Sequence, residues 1–367
     1  MITAGNNRIS LMIVVTAAAM AATSTPAQET AQSAPAGQTV GDLLGGRYRW
    51  KISEPLVAPA ERPEDPCYSM KDPTVVFHEG RWHLFCTIRS EKRSHQIEYL
   101  SFADWKEANA APRHLLKMHE GFFCAPQVFY FTPHKKWYLI CQASDKSWKP
   151  EYGAAYATTS DIADPGSWSK LKPLGTKPAG TKAGLDFWII CDDQKAHFFF
   201  TTLDGRMWRE ETRLEDFPRG WSEAELAVQG DIFEASHTYK LKGLDKYLTL
   251  VEAQDHSTNG ARHGWRYYKA YLADRLDGQW KPLAATKEQT FASMANTRSA
   301  GARWTDSISH GELLRASVDQ TLEVDPANLR FLFQGVSDQG RAGKPYGQIP
   351  WRLGILERDS ETRPASE

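Results

Sequence analysis

TVVFHEGRWHLFC, residues 74–86, reads as a strand, a tight turn at Glu79-Gly80 and a return strand. Its β-branched and aromatic residues favour extended chain, and the polar-glycine pair between them is a turn signal. The same design recurs along the chain. VFYFTPHKKWYLIC (128–141) turns at Pro133, FWIICDDQKAHFFFT (187–201) turns at Asp192-Asp193, and HTYKLKGLDKYLTLV (237–251) is a fourth instance. A looser fifth covers residues 313–333, with a turn near Asp325-Pro326. Helical periodicity is scarce throughout.

A polar residue stands ahead of each unit: Asp72, Gln127, Asp186, Glu234 and His310. They follow one another at intervals of roughly 50–75 residues, the repetition expected of radial β architecture. The pattern predicts an all-β chain, a five-bladed β-propeller. Its innermost strands would converge on one axis and bring these residues into one cleft. A large sandwich with polar edge residues is the alternative.

The flanks read differently. Arg8 and the apolar run at 9–22, then Thr23-Ser24-Thr25-Pro26-Ala27, predict a secretory signal peptide over residues 1–27. Export to the periplasm or the medium follows, with no membrane attachment after cleavage. Residues 28–46 are expected to be a flexible lead-in, 47–358 the propeller and 359–367 a disordered tail. With 44 basic and 45 acidic residues, the chain has no charge excess to suit a nucleic-acid partner. The five cysteines form no C-x-x-C pair, and Cys86, Cys141 and Cys191 fall in apolar strands as small buried hydrophobes. Thirteen Trp and 13 Tyr suit sugar stacking, though most must fill a β core.

A lone acid at the start of a strand is ordinarily a solvated turn residue. Three of them, in Lys71-Asp72-Pro73, Leu185-Asp186-Phe187 and Phe233-Glu234-Ala235, sit at the positions the repeat brings together. Glycoside hydrolysis needs such a set: an acid for the leaving oxygen, and a base or nucleophile across the ring. No G-x-S-x-G, H-E-x-x-H or P-loop pattern offers another chemistry.

The sequence resembles glycoside hydrolase family 62, the α-L-arabinofuranosidases. Seven segments occur in the family's order: KDPTVVFHEGRWHLF (71–85), YLSFADW (99–105), APQVFYFTPHKKWYL (125–139), DFWIICD (186–192), FEASHTYK (233–240), ISHGELLR (308–315) and PWRLG (350–354). The resemblance implies a five-bladed propeller and an inverting mechanism. It implies Asp72 as general base, Glu234 as general acid, and Asp186 as the residue that orients the acid and raises its pKa. Lys71, Gln127 and Tyr346 would bind arabinose, and His310 would stand near a calcium ion. The substrate implied is an arabinose-bearing polysaccharide of arabinoxylan type, and the enzyme is expected to be a monomer.

The chain departs from the family at Gly347, where an amide residue usually follows the tyrosine, at 121–124 (GFFC), and in the 144–152 loop (SDKSWKPEY). These positions would border the pocket or the polymer groove. The related family 43, with its xylosidases and arabinanases, and a propeller that binds sugar without cleaving it are the alternatives. The F-E-A-S and I-S-H-G-E strings favour family 62, and the three acids favour catalysis.

Overall fold

The computed structural model describes residues 1, 40–175, 183–255, 265–299 and 301–359. Apart from Met1, the expected signal peptide lies outside them, as do most of the lead-in and all of the tail but Asp359. Val40–Leu44, within the expected lead-in, forms one helical turn that buries Leu43. Among the described residues no helix is long and apolar enough to cross a membrane.

Five sheets, antiparallel in all but two pairings, surround one axis. Blade 1 runs from Cys67–His78 through Arg81–Ser90 and Gln96–Phe102 to His114–Leu115. Blade 2 follows with Phe123–Phe131, Lys136–Ser144, Tyr152–Thr159 and Lys172–Pro173, and blade 3 with Leu185–Cys191, Lys195–Thr201, Arg206–Arg213 and Glu225–Gln229. Blade 4 contains Glu234–Leu241, Tyr247–Asp255, Trp265–Ala273 and Lys281–Ala284. The inner strand of each blade lies beside that of the next, and that of blade 5 returns to blade 1.

Blade 5 differs from its sequence reading. Its inner strand is Ser309–Leu313, ahead of the expected unit, and it pairs with Arg330–Gly335 across a long connection rather than a tight turn. Within that connection Glu323–Val324 pairs parallel with blade 4 instead. The sheet continues through Arg352–Arg358 to Trp50–Ile52 from the other end of the domain, with Trp50 opposite Arg358, and ends on Thr297–Ser299, which pairs parallel with Trp50–Ile52. Burial of Trp50, whose indole donates to the Phe291 carbonyl at 2.6 Å, anchors that closure. All five cysteines are free thiols, four of them buried.

Each inner strand carries one extra residue near its start. The register slips between Lys71 and Thr74, Cys124 and Gln127, Leu185 and Trp188, Glu234 and His237, and Ser309 and Gly311. In four of the blades the bulge holds a non-glycine residue at positive φ: Asp72 (49°), Ala125 (50°), Asp186 (52°) and Ala235 (53°). Such conformations cost about 1–2 kcal/mol each and persist only when neighbours fix them. The fixing groups come from the preceding blade. The backbone N–H of Asp72 donates to Gln334 Oε1 (2.8 Å), that of Ala125 to Thr87 Oγ1 (2.8 Å), that of Asp186 to Gln142 Oε1 (3.1 Å) and that of His310 to Glu252 Oε2 (2.7 Å). Gln334, Thr87, Gln142 and Glu252 occupy one register position, opposite Ser309, Lys71, Cys124 and Glu234. Blade 3 breaks the rule. Its residue there, Thr201, has a buried hydroxyl without a partner among the described residues, and the Ala235 N–H donates to the Asp186 carboxylate at 2.9 Å.

Candidate active site

The bulges aim side chains at the axis. Asp72 and Asp186 are equivalent bulge residues, 5% and 6% exposed. Glu234 stands one position earlier in its blade, equivalent to Lys71, so the three acids do not share one register position. They nonetheless converge. Glu234 and Asp72 are the charges that act on Asp186, and His310 Nδ1 lies 3.4 Å from Asp72 Oδ1 and 3.9 Å from Asp186 Oδ1. Lys71 Nζ sits 3.6 Å from Asp72 Oδ1, donates to Tyr346 Oη at 3.3 Å and lies 5.0 Å from the centre of that ring. Six of the seven predicted site residues therefore meet in one cleft.

Gln127 does not join them. It sits two positions past the blade 2 bulge and is fully buried. Its Nε2 donates to the Ile189 carbonyl and its Oε1 accepts the Ile189 N–H, both at 2.7 Å. With both ends of the amide spent on the blade 3 backbone, it clamps two blades and has no reach to a sugar.

The electrostatics separate the acids. Burial favours a neutral carboxyl at Asp72, but Lys71, His310 and a hydrogen bond from Thr87 outweigh it and hold Asp72 below its ordinary value. Asp186 goes the other way. Burial, then the charges of Glu234 and Asp72, push it well above the usual carboxylate range. The raised pKa falls on Asp186, the residue expected to tune its neighbour. Burial opposes the charge on Lys71, yet Asp72, Tyr346 and Glu234 raise its pKa overall, so it stays an ammonium.

Two further residues complete the site. Arg266 Nη1 contacts Glu234 Oε1 at 2.9 Å and Glu252 Oε1 at 2.6 Å, and its guanidinium covers the Phe233 ring at 4.3 Å. Glu252 also accepts from Ser309 Oγ at 3.0 Å. Each is a charge inside a largely apolar or aromatic strand, WRYYKAYLA for Arg266, which also carries Lys269, and YLTLVEAQD for Glu252, which ends on Asp255. A charge that a strand buries must be paired, which is the signal in the sequence that could have found them.

Among the described residues no three His, Cys, Asp or Glu side chains converge as metal ligands. Calcium takes about six to eight oxygen ligands. His310, the histidine beside the axial carboxylates, offers a nitrogen. Among the described residues these donors form no protein cage for calcium.

This cleft is the arrangement that glycosidic cleavage requires: a carboxylate beside an ammonium, a second carboxyl whose pKa is raised, and a third acid held by an arginine. Comparison with known proteins agrees. The chain is 38% identical over 321 residues to alpha-L-arabinofuranosidase C of Cellvibrio japonicus (strain Ueda107), covering 85% of this chain and 47% of that protein. It thus spans about half the length of that curated relative. The catalytic domain of a Coprinopsis cinerea GH62 alpha-L-arabinofuranosidase superposes with TM-score 0.78 at 34% identity, covering 86% of this chain and 98% of that one. A GH62 hydrolase solved in complex with xylotriose gives TM-score 0.78 at 35% identity, over 87% of this chain and 100% of the other. Residues 49–357 match glycosyl hydrolase family 62, and with its catalytic-type carboxyls gathered at the mouth of a five-bladed propeller the chain belongs to that family.

Proposed function

We propose that the protein is an α-L-arabinofuranosidase that removes arabinofuranosyl groups from an arabinoxylan-type polysaccharide by a single inverting displacement. The observation that carries this reading is the meeting of Asp72, Asp186 and Glu234 in one cleft with Lys71, His310 and Arg266, where Asp72 and Asp186 are displaced in opposite directions. Asp72, kept ionised by Lys71, takes a proton from the attacking water. Asp186 keeps a proton in the immediate surroundings of Glu234, and that proton supplies the leaving oxygen through Glu234. The hydrogen bond from the Ala235 N–H to Asp186 ties the acid's backbone to the carboxyl that tunes the site. Lys71 and Tyr346 form the polar wall against the sugar. The name of the Cellvibrio relative supports the bond cleaved, and the xylotriose complex of the solved relative supports a xylan main chain in the groove.

The decisive experiment follows arabinose release from arabinoxylan, arabinan and arabinogalactan, with NMR of the first product. β-Arabinose from arabinoxylan is the expected outcome, because one displacement by water inverts the α centre. Early α product would exclude single displacement, and no arabinose from any polymer would overturn the activity.

Two companion expectations belong to the same reading. Residues 1–27 act as an export signal, so exported protein should begin at or near Gln28 and act as a monomer. A calcium ion touched by His310 would add positive charge on the axis. Its removal by chelation should then lower the thermal midpoint, and added calcium should restore it.

A further inference from the structure

Arg89 lies near the end of the second strand of blade 1, two residues beyond Thr87, so both side chains leave the sheet on the same face. Thr87 lies at the cleft, hydrogen-bonded to the Ala125 N–H. The Arg89 head packs against the backbone of Gly347, the residue after Tyr346. A Cβ at position 347 would stand 2.4 Å from Nη1 and 2.5 Å from Nη2. Absence of a side chain at 347 is what makes room for the guanidinium.

The other cleft cations are committed: Lys71 to Asp72 and Tyr346, Arg266 to Glu234 and Glu252. Arg89 is half-buried and, among the described residues, has no ion-pair or hydrogen-bond partner; its Nε is sealed from solvent with nothing to donate to. The nearby carboxylate of Asp72 is already paired with Lys71. Lys71 is a like charge, and burial together with Lys71 and Arg89 holds His95 neutral, at about 4. A guanidinium is five donors without an acceptor, in a fork that matches a carboxylate. Sugar hydroxyls would satisfy the donors but leave the charge uncompensated.

We propose that Arg89 is a specificity-determining residue that binds a carboxylate on the polysaccharide, a uronate carried close to the arabinosyl group being removed. The inference rests on the activity proposed above and adds the class of polymer that the cleft selects.

The test compares arabinose release from a uronate-bearing arabinoxylan and from the same polymer after carboxyl reduction, at low and high salt. The unaltered enzyme should show a kcat/KM about tenfold higher on the acidic polymer, the worth of one charge-assisted contact, and salt should shrink the difference. Arg89→Gln should erase the difference through KM, and Arg89→Lys should restore part of it. Gly347→Asn, which must push the guanidinium out of its seat, should act like Arg89→Gln. Equal rates on both polymers with unaltered enzyme would overturn the inference. So would an Arg89→Gln loss that is the same on both. Absence of arabinose from either polymer would instead sink the activity on which the inference rests.

Discussion

The Oδ2 of Asp186 accepts the backbone N–H of Ala235 at 2.9 Å, one residue past Glu234. In every other blade a side chain of the second strand does this work, and in blade 3 Thr201 leaves it undone. Asp186 thus holds the strand that carries Glu234, and its raised pKa favours a protonated carboxyl there.

Two substitutions separate those roles. Asp186→Asn keeps an oxygen for the Ala235 N–H but cannot titrate, whereas Asp186→Ala loses both. Asp186→Asn should unfold near the unaltered midpoint while turnover falls by about 10²–10⁴. Asp186→Ala should lose a further 1–3 kcal/mol or so of stability, because a buried N–H is left unpaired. Urea unfolding of the two proteins checks this; identical midpoints would show that the bond carries no structural weight.

The pH profile follows from the same displacements. Activity needs Asp72 ionised, and its folded pKa lies low, so the acid limb should fall only below the usual carboxylate range. It also needs the Asp186 proton, lost as pH rises through a raised pKa, so the basic limb belongs to Asp186. Asp186→Asn should abolish that limb in kcat/KM measured across pH, and an unchanged limb would reassign it.

Asp72→Asn cannot accept the proton of water, and Glu234→Gln cannot donate one to the leaving group. Each should cost about 10²–10⁴ in turnover on polysaccharide. An aryl arabinofuranoside with a good leaving group needs little acid help. Glu234→Gln should therefore recover on it, and Asp72→Asn should not.

Gln127→Ala should behave as a packing lesion. It strands the Ile189 N–H and carbonyl inside the seam between blades 2 and 3, for a loss of about 1–3 kcal/mol. KM for arabinoxylan should stay near that of the unaltered enzyme. A large rise in KM with unchanged stability would return Gln127 to the sugar.

Arg266→Met leaves Glu252 and Glu234 without their shared cation. Loss of one partner of a buried pair costs about 3–5 kcal/mol. Thermal unfolding should show this as a lowered midpoint, eased as pH falls, because protonation of Glu252, already raised by burial, removes the orphaned charge.

Asp72 and Asp186 were legible because each interrupts chemistry: a single acid directly before an apolar strand. The offset of Glu234 by one residue and of Gln127 by two was not. A bulge inserts its extra residue without changing composition, so hydrophobic alternation does not say on which side of it a polar residue falls. Arg266 and Glu252 announce a need for partners but not which partners, since those lie 32 and 14 residues from Arg266 in sequence and are set by blade curvature. The fifth blade was least legible. Its strands come from both ends of the domain, and Trp50 finds Arg358 with no local signal that the two belong together.

That last pairing sets the order in which the molecule can be built. A chain made from its N-terminus can raise blades 1 to 4 in sequence, but Trp50–Ile52, even once paired with Thr297–Ser299, must keep its other side open until Arg352–Arg358 arrives. The contact is among the most non-local in the protein, the kind that is formed late and slowly. Until it forms, the waiting strands present unpaired backbone to other copies of the chain. A circular permutant that joins the two ends and opens an exposed connection elsewhere would turn this final step into the closing of a short hairpin. Deletion of Trp50–Ile52 would leave the outer side of Arg352–Arg358 open in every copy of the chain.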